Sequence, residues 1–209
     1  METIADTVYL VDDDPDVLDA VSFLLEADGY RVAAFADPAA VLKALGPDHR
    51  GCLVLDVRLP GMTGLELHQR LRDQQVLMPV LFISGHGDIP LAVRAINAGA
   101  LDFIEKPFHD AVLLEKVANA IELDDSQYAH IARQDELEAR LERLTPRERQ
   151  VMEAMMQGKL NKVIADELDV SPRTVEVHRA RVLEKLEARN SSDMVRLVLS
   201  TERYRDWLL

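Results

Sequence analysis

The chain has 209 residues, 24 basic against 37 acidic side chains, 48% apolar residues and one cysteine, Cys52. That allows one or two domains and excludes both a largely disordered chain and a disulfide-stapled fold. Residues 1–140 hold 11 basic and 25 acidic side chains, a net of −14, while residues 141–209 hold 13 and 12, a net of +1, so two modules with different partners are expected.

The first module alternates short apolar runs with helical spacing. Val8–Val11 reads as a strand, and residues 16–27 as a helix with Val17, Ala20, Val21, Leu24 and Leu25 on one face. Strands at Val32–Phe35, Cys52–Leu55, Val80–Ile83 and Leu101–Ile104 follow, separated by helices over 38–45, 64–72 and 90–98 and followed by one from about Asp110. Five such strands predict an α/β fold with a parallel sheet covered on both faces, in the flavodoxin-like doubly wound order 2-1-3-4-5. From Asp110 to Arg143 there is no Gly or Pro. Leu114, Val117, Ile121, Tyr128, Ile131, Leu137, Leu141 and Leu144 recur at steps of mostly three and four, with Asp124 and Asp135 interrupting the seam. This reads as a long helical linker; a terminal helix followed by a solvated acidic tether is the alternative.

An all-α four-helix module comes next. Thr145-Pro146-Arg147-Glu148 is a capping box with Pro at the first helical position, and Ser171-Pro172 repeats the cap-plus-Pro signal. Between them a short helix, Lys162–Leu168, ends at Asp169, a residue tolerant of a left-handed turn. Short helix, turn and longer capped helix make a helix-turn-helix. A last helix runs from about Ser192 to Leu199; its Met194, Leu197 and Val198 either join two copies or close the module's own core.

Ligand sites of doubly wound sheets lie at the carboxyl ends of the strands. Asp12 and Asp13 follow strand 1, Asp56 strand 3, Ser84 strand 4 and Lys106 strand 5. Three carboxylates, a hydroxyl and an ammonium are thus expected together, with Mg2+ relieving the repulsion of the acids and Asp56 placed as a nucleophile toward phosphorus. Asp14-Pro15 is better explained as a helix cap, and acids near a helix N-terminus are favourable anyway. The residues alone leave open a Mg2+-dependent phosphatase, or a scaffold that needs no phosphorylation.

Val11-Asp12-Asp13-Asp14, Leu55-Asp56-Val57-Arg58-Leu59-Pro60-Gly61-Met62-Thr63-Gly64 and Glu105-Lys106-Pro107-Phe108 resemble the receiver signature of two-component response regulators. The resemblance implies a non-enzymatic regulator whose Asp56 accepts a phosphoryl group from a sensor histidine kinase. It implies that Asp13, Asp56 and the Arg58 carbonyl bind Mg2+ directly, with Asp12 acting through water. Lys106 would pair with the phosphoryl oxygens across a cis bond to Pro107, and Ser84 would hydrogen-bond one of them. Phe103 would turn inward as Ser84 moves. Ser84-Gly85-His86-Gly87-Asp88-Ile89-Pro90 resembles the corresponding loop of FixJ-type regulators, with His86 read as a polar loop residue.

Leu144–Arg149, Asn161–Ala165 and Ser171–His178 resemble the LuxR/FixJ-type helix-turn-helix. On a helical wheel Val175, Val182, Leu183 and Leu186 share an inward face, opposite Arg173, Val177, Arg181 and Glu184. Arg173 and Arg181 are the candidates for DNA contacts, Val177 for a thymine methyl, Thr174 for the flank, and Lys162 and Lys185 for phosphates. Glu176 is equally an exposed helical acid, and Arg179 should pack its stem while its head escapes.

The expected organisation is a receiver over 1–122, a helical linker over 123–143 and a DNA-binding domain over 144–209. The expected partners are a sensor histidine kinase, double-stranded promoter DNA and RNA polymerase. A homodimer would form on phosphorylation through helix 4 and strand 5, roughly residues 90–104, with Arg94 and Asp102 as complementary charges. The longest apolar run, Val32–Ala36, is far short of the ~18 residues of a membrane span, and the start lacks a basic signal region, so a cytoplasmic location is expected.

Overall fold

The computed structural model describes residues 7–85, 89–205 and 207, so the reading of His86 lies outside the described residues. The chain divides into two compact units, Met1–Gln127 and Tyr128–Leu209.

In the first unit, strands β1 (Thr7–Val11), β2 (Arg31–Phe35), β3 (Cys52–Asp56), β4 (Val80–Ser84) and β5 (Asp102–Glu105) are all parallel. Their order is β2-β1-β3-β4-β5, the doubly wound arrangement expected. The connecting helices are α1 (Pro15–Ala27), α2 (Pro38–Ala44), α3 (Gly64–Asp73) and α4 (Ile89–Asn97), and α5 (Asp110–Glu142) follows β5. Local chemistry sets several of their starts. Asp14 accepts a hydrogen bond from the Asp16 N–H and Asp37 from the Ala39 N–H, each just before a first-turn proline, and Thr63 and Glu66 form a capping box.

Alternation along the strands feeds two cores. Val8 and Leu10 pack with Val21 and Leu25 of α1 and Leu113 and Val117 of α5. Tyr9 and Val11 pack with Val41 of α2, Leu67 and Leu71 of α3 and Ala95 of α4. With helices on both faces both sides of the sheet are covered, so every residue of β1, β3 and β4 is buried, and each large apolar side chain among them contributes about 1.5–3 kcal/mol.

Three features differ from expectation or were not expected. β5 starts one residue later than its apolar run. Arg58–Leu59 and Met62–Thr63 form a two-stranded antiparallel ladder, too short for periodicity to detect. Asp124 does not interrupt a seam: it is buried, and its Oδ2 accepts from Arg50 Nε at 2.5 Å and from the Gly51 N–H at 3.1 Å. Arg50 also reaches Asp125 at 2.8 Å. Only glycine serves at 51, where φ is +128° and a Cβ would stand 1.9 Å from the Thr7 carbonyl oxygen. Residues 123–142 are helical throughout, as the last turns of the 33-residue α5. Along it Tyr128 and Ile131 are exposed, whereas Leu137 and Leu141 are buried.

The second unit adds α6 (Pro146–Met156), α7 (Asn161–Leu168), α8 (Pro172–Lys185), α9 (Ser191–Leu199) and a single 3-10 turn, Glu202–Tyr204. Asp169 ends α7 in the left-handed conformation at φ 52°, as its residue type suggested. Leu141, Val151, Met152, Ile164, Val175, Val182 and Leu186 form one core with Met194 and Val198. Both of those α9 residues are fully buried, so α9 closes the core of its own unit. Among the described residues no helix is long and apolar enough to cross a membrane.

Candidate functional site

Asp12 follows β1, Asp56 ends β3, Ser84 ends β4 and Lys106 follows β5, so four neighbouring strands deliver them to one edge of the sheet. The Lys106 ammonium donates to Asp12 Oδ2 at 2.5 Å and to Asp56 Oδ1 at 2.9 Å. Both carboxylates are buried, Asp12 to 1% exposure and Asp56 to 7%. The second oxygen of each is held by the backbone: Asp12 Oδ1 accepts from the Asp14 N–H at 3.0 Å, and Asp56 Oδ2 from the Arg58 N–H. The Lys106 N–H donates to the Ser84 carbonyl at 2.8 Å, which fixes the lysine beside the end of β4, and the Lys106–Pro107 bond is cis. Burial pulls the Lys106 pKa down, but hydrogen bonds and charge from Asp12 and Asp56 outweigh it, so the ammonium is held above its ordinary range.

The short ladder and Gly64 bring α3 against this edge. The Gly64 N–H donates to the Val57 carbonyl at 2.9 Å, and a Cβ at Gly64 would stand 2.2 Å from the Asp56 carbonyl oxygen. Ser84 is buried, and Phe103 is partly buried against the core of the α2–α4 face, beside Phe82 in the sheet register.

Asp13 stands next to Asp12 in the chain. It is exposed, and among the described residues no group of three or more His, Cys, Asp or Glu side chains is gathered as a metal cluster. Beyond the end of β1, Asp12 turns onto Lys106 while Asp13 is exposed. The donor set nonetheless fits a hard divalent cation. Two buried carboxylates share a single ammonium, a third acid stands beside them in sequence, and every side-chain donor is oxygen.

In the second unit α8 buries Val175, Val182 and Leu186, partly buries Leu183, and exposes Arg173, Val177, Arg181 and Glu184, as the wheel predicted. Lys162 on α7 is exposed. The Thr174 hydroxyl lies 2.8 Å from the Ser171 hydroxyl that caps α8. Lys185 needs correcting: its ammonium donates to Glu148 Oε2 at 2.6 Å and to the Arg143 carbonyl at 3.0 Å, so it ties α8 to α6 instead of facing a phosphate. Arg179 donates to the Ser191 hydroxyl at 3.1 Å, so its head is anchored rather than free. Asp102 is likewise engaged within its own unit, by Lys116 of α5, and is not a spare charge for Arg94. Sequence reasoning found the capping role of Glu148 but missed its pairing with Lys185, and missed the roles of Arg50 and Asp124. Glu148 carried a signal as the third residue of a capping box; the partners of the other two lie over 70 residues away, and nothing local announces them.

Residues 8–118 match the family described as the response regulator receiver domain, and residues 142–198 match the bacterial regulatory proteins of the luxR family. The chain is a two-component response regulator. It is 44% identical to the transcriptional regulatory protein FixJ of Bradyrhizobium diazoefficiens over 199 residues, covering 95% of this chain and 97% of that protein. It is 41% identical to the response regulator protein TodT of Pseudomonas putida over 208 residues, covering 100% of this chain and 90% of the other. Among solved structures, the response regulator StyR aligns with a TM-score of 0.85 at 40% identity, covering 93% of this chain and 98% of StyR. Full-length FixJ from B. japonicum aligns at 0.60 and 45% identity, covering 94% and 97%. This response regulator is therefore a FixJ-type transcriptional regulator with a receiver and a LuxR-type DNA-binding domain, and not an enzyme.

Proposed function

We propose that Asp56 is the phosphoacceptor and that its phosphorylation controls DNA binding by α8. The observation that carries this reading is the Lys106 ammonium held by both Asp12 and Asp56 at the edge where four strands end. An Asp56 oxygen forms the new O–P bond while the donor's bond to phosphorus breaks; the donor is a phosphorylated imidazole of a sensor histidine kinase. Lys106, already beside the nucleophile, balances charge on the transferred group, and Ser84 receives one of its oxygens. Asp13, Asp56, the Arg58 carbonyl and, less directly, Asp12 would hold Mg2+, which supplies further neutralisation of phosphoryl charge. Small-molecule phosphodonor labelling tests the assignment. Wild type should incorporate phosphate in the presence of Mg2+ and Asp56→Asn should not; labelling of the variant at wild-type level refutes it.

Phosphorylation adds negative charge to a module that is already acidic, so activation requires a new contact rather than charge relief. Ile89, Val93 and Ile96 of α4, with Leu101 before β5, are exposed large apolar side chains on the face proposed to pair two phosphorylated copies, with Phe103 turning inward as Ser84 moves. Pairing raises the effective concentration of the second DNA-binding domain. Arg173, Val177 and Arg181, flanked by Thr174, then read the major groove of promoter DNA, Lys162 holds a phosphate, and RNA polymerase is the downstream partner, all in the cytoplasm where the chromosome lies. We assign residues 1–122 to the receiver, 123–143 to the linker and 144–209 to the DNA-binding domain. Sedimentation should show a shift toward dimer on phosphorylation; a phosphorylated monomer with full DNA affinity removes the pairing step.

A further inference from the structure

His178 lies on α8 between the helix's buried and exposed sets. On a wheel of about 100° per residue it is about 60° from Val175, on the flank that carries Thr174 and Arg181. The residue is partly exposed, yet its Nδ1 is buried with no hydrogen-bond partner among the described residues. A neutral imidazole has one N–H and one lone pair. A buried N–H without an acceptor carries the full desolvation penalty, and an unmet lone pair is the better tolerated of the two. In the neutral ring the proton therefore belongs on Nε2, on a partly exposed residue that shares its flank of α8 with Arg181.

We infer that His178 is a DNA-binding residue, whose Nε2–H donates as a neutral group to a phosphate oxygen at the wall of the groove that α8 enters. The inference rests on the reading of α8 as the groove-binding helix and adds a backbone contact to it. The face of a groove-bound helix opposite its core meets base edges, and its flanks meet the sugar–phosphate walls. Arg181 beside it favours an anion at that spot. A neutral donor displaces no counterion, which separates this contact from those of the arginines.

A random-sequence 20-bp duplex is a sufficient probe, because a phosphate contact carries no sequence information. Binding of the full chain is followed by fluorescence anisotropy over a range of salt. His178→Ala should weaken binding about three- to tenfold with the log–log salt slope unchanged, whereas Arg181→Ala should lower the slope by about 1. His178→Gln, whose amide N–H reaches close to the position of Nε2, should recover most of the affinity. Nitrogen-15 NMR of labelled histidine should show the Nε2–H tautomer and slowed exchange of that proton on adding duplex. Unchanged affinity in His178→Ala, a fall in slope with it, no recovery with Gln, or a proton on Nδ1 each overturns the assignment. If Arg181→Ala also leaves binding untouched, the docking of α8 itself is wrong and the histidine contact falls with it.

Discussion

Glu148→Gln isolates one charge in the DNA-binding unit. Glu148 is 2% exposed and does two jobs: its Oε2 accepts from the Thr145 N–H at 2.8 Å, closing the capping box, and from the Lys185 ammonium at 2.6 Å. Burial works to raise its pKa, but the hydrogen bonds from Lys185 and Thr145 prevail and bring it from 4.5 down to about 2. At 1.36 kcal/mol per pH unit that interval corresponds to at most about 3 kcal/mol of stability. Lys185 is about a third exposed, water screens part of its attraction, and about 2 kcal/mol is the expected contribution. Glutamine still completes a capping box, so the variant removes the charge and keeps the cap. The folded-state pKa lies below the unfolded one, so the stabilisation is complete above about pH 4.5 and drains away as the pH falls toward 2. Trp207, the single tryptophan, lies 5.4 Å from the Tyr204 ring and reports on this unit by fluorescence. In urea, with a slope of about 1 kcal/mol per molar, the variant midpoint should fall by about 2 M at pH 7 and converge on wild type as the pH approaches 2. Equal midpoints at pH 7, or a difference that grows on acidification, would refute the reasoning.

Two further outcomes follow from buried positions in the receiver. His68 is 4% exposed, edge-on to Phe82 at 5.9 Å, and burial, aided by the Arg72 charge, pushes its pKa down to about 4. Its neutral form supports the fold above about pH 6.5, and up to about 3 kcal/mol is lost as the pH falls to about 4; His68→Phe should flatten the calorimetric stability of the receiver across that window. Gly64→Ala forces a Cβ against the Asp56 carbonyl, so the receiver should lose roughly 1–3 kcal/mol and phosphodonor labelling should slow; a variant that melts and labels like wild type contradicts the close approach.

The receiver was legible because its information is local. Runs such as Cys52–Leu55 are apolar on both sides, and Asp14 marks a helix start two residues from the N–H it caps. The convergence of Asp12, Asp56 and Lys106 followed from strand order alone. Long-range pairs were invisible. Lys185 reads as one more basic residue on a DNA-facing helix until Glu148, 37 positions earlier, is seen beneath it. Asp124 reads as a flaw in an apolar seam until Arg50 and Gly51 are found folded against it. A charge on a helix has the same letter whether it meets water or a distant guanidinium.

The lysine bridge at the sheet edge gives the receiver a built-in counterion. An acidic cleft that depended on dissolved cations for its shape would soften whenever those ions ran short. Here a covalently attached ammonium bridges the two sunken acids and offsets one of their two charges. Stripping divalent ions with a chelator should therefore silence phosphate uptake while leaving the melting temperature almost where it was, so that the idle protein waits in working shape for its signal.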